Sequence, residues 1–137
     1  MNEDHDQEPE IISPVNPLPS VVVALFLMII GIEAIFSLAS RGLIGGAGGI
    51  GWRLEALQTY AFLGPIFDWM WNNGQWPTEH LIRFVSYMFV HGSFMHALFV
   101  CVMLLALGKM VGEVFTGFAT LAVFIVSGIF GALAYAV

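Results

Sequence analysis

Three apolar runs constrain this chain more than any other feature of it. They are residues 20–39 (SVVVALFLMIIGIEAIFSLA), 94 to about 111, and 118–137 (FATLAVFIVSGIFGALAYAV). Twenty residues at about 1.5 Å rise per residue cover about 30 Å, the thickness of the bilayer hydrocarbon. Within that layer a lone segment satisfies its backbone only as a helix. The wider composition agrees: 58% of the 137 residues are hydrophobic and 10% are charged, whereas soluble domains are about half apolar and about a quarter charged. The sequence therefore predicts an all-α membrane protein with three transmembrane helices.

The segments between the runs differ in character. Residues 1–19 form an acidic tail, expected to be disordered, in which Glu3, Asp4, Asp6, Glu8 and Glu10 supply five of the ten acids. The tail lacks the basic flank of a secretory signal peptide. Three prolines in PVNPLPS break any helix before Ser20, which is a candidate N-cap of the first span. Glu33 is that span's one charge. It reads either as a polar group inside a helix bundle or as a side chain tilted to the nearer interface or protonated, and the sequence favours the second. Residues 41–90 form a long first loop. RGLIGGAGGIGW holds six glycines, too flexible for a helix interior, and WRLEALQTYAFL then returns to helical spacing. Trp69, Trp71 and Trp76 cluster next to the apolar helices, which reads first as a loop on or partly in the membrane surface and second as an ordinary aromatic-rich loop outside it.

Ser93 is a good N-cap for the second span. GKMVGEVFTG, from Gly108 to Gly117, reads as a tight polar turn into the third. Small residues recur at four-residue spacing: Gly108 with Gly112, Ser127 with Gly131, and Gly128 with Ala132. Such spacing lets helices approach closely, so these positions are assigned to helix packing. Cys101 lies inside an apolar run and reads as a small buried hydrophobe. No Cys/His pattern has zinc spacing, and no basic patch exists for nucleic acid. No metal or other cofactor is expected, and the expected partners are the lipid bilayer and other integral membrane proteins.

Two histidines open the second span. His91 and His96 are five apart, about 140° around a helix, which is poor geometry for one metal or one haem. His96 and Val100 are four apart and share a face. By spacing alone, both histidines read first as interfacial residues hydrogen-bonded to backbone or loop. His5 and His80 read as solvent-facing.

RFVSYMFVHGSFMHALFVCVMLLALG, residues 83–108, resembles the rhomboid family of intramembrane serine proteases. In that family a loop arginine is followed eight residues on by a histidine, then by a second histidine five later and an asparagine four after that. Arg83, His91 and His96 stand at those spacings; Gly108 and Glu113 fit the family's glycine-rich helix end loosely, being five apart instead of four. The resemblance covers about residues 20–137 and implies the first half of a six-helix rhomboid core with a membrane-associated first loop. It implies that His96 is an oxyanion donor, that His91 orders the mouth of the site, and that Arg83 structures the loop. It also implies a multi-pass protein of a bacterial inner membrane or its equivalent.

Two departures bear on activity. Val100 stands where the family has its asparagine and can donate nothing, and losing one such donor costs an enzyme about 2.7–4 kcal/mol in the transition state. No GxSG is present; FIVSGIF puts Ile125 at the first glycine, and Ser127 is expected to pack against a neighbour. No later histidine supplies a base, so this chain by itself lacks the serine–histidine dyad. Two expectations follow. One is a rhomboid-like pseudoprotease, with weak or no proteolysis, acting as an accessory or binding subunit of a membrane complex. The other is the amino-terminal part of an active protease whose serine and histidine lie beyond residue 137, an expectation suggested by the abrupt end at Val137. Family topology puts the amino terminus in the cytoplasm. Arg41, Arg53 and Arg83, all in the loop, point the other way.

Overall fold

The computed structural model describes residues 17–136. The acidic tail expected over 1–19 lies almost wholly outside them, as do His5 and Val137.

Three helices are long and apolar enough to cross a membrane: α1 (Ser20–Ser40), α7 (Phe94–Val114) and α8 (Gly117–Ala136), with mean hydropathies of 2.7, 2.1 and 2.1. Five short helices occupy the first loop: α2 (Gly46–Gly49), α3 (Trp52–Tyr60), α4 (Gly64–Asn73), α5 (Thr78–Leu81) and α6 (Arg83–Ser86). All regular structure among the described residues is helical.

Local chemistry explains most boundaries and corrects some expectations. Pro19, not Ser20, is the N-cap of α1; its carbonyl accepts from the N–H groups of Val22 and Val23, and no side chain caps this end. Ser93 does cap α7, its hydroxyl accepting from the His96 N–H at 3.3 Å. The turn expected over 108–117 is much shorter. Helix α7 runs through Gly108 and Gly112 to Val114, leaving only Phe115 and Thr116 as the link. Two glycines in an otherwise apolar helix cost little when helix packing uses the space they leave. Thr116 then opens α8, its hydroxyl accepting from the Ala119 N–H at 3.3 Å. The glycine-rich segment still forms one helical turn, α2. Gly45 precedes it with φ +69°, and a Cβ there would come within 2.7 Å of the Trp52 ring. Loop helix α4 starts with proline in its first turn and ends on left-handed Gly74, the usual asymmetry of helix ends.

Helix α1 packs chiefly on α7, the start of one against the end of the other. A Cβ on Gly108 would lie 3.0 Å from both methyls of Val22, and one on Gly112 would collide with the Pro19 ring. Both glycines thus let α7 close on α1. Gly128 and Gly131, expected to serve helix–helix packing, instead admit the loop: Met88 fills the space beside Gly128, and the Tyr87 hydroxyl sits 3.3 Å from where a Gly131 Cβ would be. Helices α7 and α8 touch sparingly despite their two-residue link.

Candidate functional site

The loop is not a free excursion. Tyr87 donates from its hydroxyl to the Gly128 carbonyl at 2.7 Å, Ser86 to the Tyr60 carbonyl at 2.8 Å, and Arg83 Nη1 to the Ala61 carbonyl at 2.9 Å. The Phe62 ring packs edge-on against Phe84 at 5.0 Å and against Tyr135 of α8 at 6.3 Å. These contacts bind the loop to the second half of α8. Arg83 Nε is buried without a hydrogen-bond partner among the described residues. His80, expected to face solvent, is half-buried with its ring 6.0 Å from Trp69, and its Nδ1 is also unpartnered. Trp69, Trp71 and Trp76 remain exposed.

Beneath the loop, the gap between α7 and α8 forms a cavity of about 570 Å³. Its α7 wall is His96, Phe99, Val100, Met103, Leu104, Leu107, Gly108 and Val111; its α8 wall is Thr120, Val123, Phe124, Ser127 and Gly128. Both sets recur at three- and four-residue spacing, the signature of one helical face. From His96 to Val111 the α7 wall extends about 22 Å along the helix axis. Val22 and Leu25 of α1 contribute to the floor, while Phe62, Tyr87, Met88 and His91 form the loop side. His96 and Val100 thus line one cavity, as their spacing requires. The cavity is apolar along most of its length. Ser127 lines it and is exposed, so it is not packed against a neighbour.

His91 and His96 meet at the loop end of this cavity, with rings 5.2 Å apart and nearly perpendicular. His91 is buried and His96 exposed. Burial holds the His91 imidazole below its ordinary pKa; His96 and Arg53 act in the same direction, while Glu33 and a hydrogen bond to the Phe89 backbone oppose them. Among the described residues no three His, Cys, Asp or Glu side chains come together as a metal site. Cys101 is buried on α7, outside the cavity lining.

Behind the histidines lies a contact the sequence did not reveal. Glu33, 2% exposed in α1, receives a two-pronged ion pair from Arg53 of α3: Nη2 to Oε1 at 2.6 Å and Nη1 to Oε2 at 2.9 Å. Ser37 donates to Oε1 at 2.8 Å. Arg53 Nη1 also donates to the His91 carbonyl at 2.9 Å. The reading of Glu33 as tilted to the interface or protonated is overturned, because a two-pronged guanidinium pairs with a carboxylate in its charged form. The available signal was a lone acid in one span beside three arginines in the next loop. Nothing in the spacing selected Arg53 from Arg41 and Arg83.

A family model, the Rhomboid domain, matches residues 78–137, which contain the histidine corner and both walls of the cavity. No curated protein and no solved structure matches the chain. Three span-length helices make the chain a multi-pass membrane protein, and its residues 78–137, just under half of it, are similar to the rhomboid family.

Proposed function

We propose that this chain is a rhomboid-family, membrane-embedded binding subunit, with weak or no proteolysis of its own. The cavity between α7 and α8 receives an apolar helix from another membrane protein. The observation that carries this reading is the pair of helical stripes facing one another across a gap about four turns long. Consecutive helices joined by two residues normally pack together; here they stand apart and present apolar side chains to the space between them. Ser127, small and exposed on the α8 wall, leaves room for a third helix to approach. The non-catalytic part of the reading rests on Val100, an aliphatic side chain where the family places a donor.

A photo-crosslinking residue at Val100 tests the reading against one at Met110, which is 66% exposed and outside the cavity wall. In native membranes, Val100 is expected to give one discrete protein adduct and Met110 only diffuse lipid products. The same pattern from both positions would remove the binding-subunit reading. Labelling of the protein in cells by a serine-directed activity probe would favour the protease alternative, with the serine supplied outside residues 1–137.

A further inference from the structure

The His91–His96 pair has no helix beneath its first member. His91 lies in the irregular corner before α7, so its carbonyl lacks a helical partner and needs one from elsewhere. Arg53 supplies it, 38 residues away in sequence. We propose that Arg53 is a positioning residue: its guanidinium fixes the corner and thereby sets the two imidazoles at the mouth of the cavity. The proposal rests on reading that cavity as the functional site, and it adds which residue governs the mouth.

The geometry gives Arg53 the means. A guanidinium carries five N–H donors in a rigid fork. One edge of the fork is spent on the Glu33 carboxylate, and Nη1 has a second hydrogen for the His91 carbonyl. Glu33 is itself held by Ser37, and the Phe36 ring lies 5.5 Å from the guanidinium carbon. Arg53 is therefore fixed from the α1 side before it touches the corner. At the corner's other end, Ser93 caps the His96 N–H. The stretch carrying both rings is thus pinned twice, once by Arg53 at residue 91 and once by Ser93 at residue 96. A lysine would satisfy the charge of Glu33 as a point donor, but it lacks the planar fork that serves both acceptors in fixed directions.

The ring environment supplies the readout. His91 is 6% exposed and His96 exposed, so diethyl pyrocarbonate followed by mass spectrometry should modify His96 quickly and His91 slowly in the full-length protein in nanodiscs. Arg53→Lys keeps the charge opposite Glu33 and should raise the His91 rate toward that of His96, with helix content unchanged. The exchange Glu33→Arg with Arg53→Glu restores an ion pair but puts an acceptor where the corner needs a donor. It should stay folded and still leave His91 reactive. Protection of His91 in either folded variant would overturn the proposal, since the pair would then be a fastening of the fold and no more. The measurement needs no partner helix, so failure of the crosslinking experiment above leaves its result readable.

Discussion

The phenol of Tyr87 donates a 2.7 Å hydrogen bond to the carbonyl of Gly128, binding the end of the loop to the middle of the third span. That carbonyl lies within a helix, so Tyr87 adds to the helical pattern and does not replace it. Tyr87→Phe removes the donor while keeping the ring against Phe62. The expected loss is about 0.5–1.5 kcal/mol, the net worth of an ordinary hydrogen bond. Reversible unfolding in mixed micelles measures it. A loss near zero would mean that water or lipid replaces the bond at no cost.

Gly128 and Met88 form a tighter test of loop docking. The Met88 side chain occupies the place where a Gly128 side chain would begin, and Met88 is buried. Gly128→Ala should therefore cost about 1–3 kcal/mol by overpacking. Gly117→Ala, with nothing within 4 Å of the added carbon, should change stability little. Met88→Ala combined with Gly128→Ala should recover part of the loss, because the two groups compete for one volume. Thermal melts of five proteins in one detergent (the parent, Gly117→Ala, Gly128→Ala, Met88→Ala and the double variant) provide the comparison, and an additive double variant would show that the two positions do not share space.

Glu33→Gln strips the charge from a buried pair and leaves Arg53 uncompensated. Removing one partner of such a pair typically costs about 3–5 kcal/mol. The variant should unfold at distinctly lower denaturant than the parent, whereas Glu79→Gln, at a loop carboxylate whose side chain is 78% exposed, should not. Equal midpoints for the two variants would show that the Glu33–Arg53 pair contributes nothing net.

Acid should weaken the fold through His91. Its folded pKa lies below the ordinary 6.5, so between the two values the unfolded chain binds more protons than the folded one. Stability contributed by neutral His91 is present above about pH 6.5 and is lost as pH falls through that value toward the folded pKa. Unfolding free energies at about pH 7.5 and 5.5 should differ for the parent, and the difference should shrink in His91→Gln. An unchanged pH dependence in the variant would assign the effect to another group.

The positions of the spans were legible because hydrocarbon leaves a chain few choices. Residues 20–39, 94–111 and 118–137 reappear as Ser20–Ser40, Phe94–Val114 and Gly117–Ala136. The one sizeable error, the end of α7, arose from reading Lys109, Gly112 and Glu113 as a turn. Lys109 and Glu113 are instead one helical turn apart and 3.9 Å from each other. The shared face of His96 and Val100 was legible for the same reason, since helical periodicity is local. The partner of Glu33 was not, because Arg53 is 20 residues away across an irregular loop and no period connects them.

By itself, then, the sequence determined that three helices cross a membrane and that His96 and Val100 look the same way. Hydrophobic length and helical period are properties of neighbouring residues. Tertiary structure alone decided that α7 closes on α1 and stands off from α8, that Met88 and not another helix fills the notch at Gly128, and that Arg53 holds the histidine corner. Those outcomes depend on which distant groups compete for one space or one carboxylate, and only the folded chain brings the competitors together.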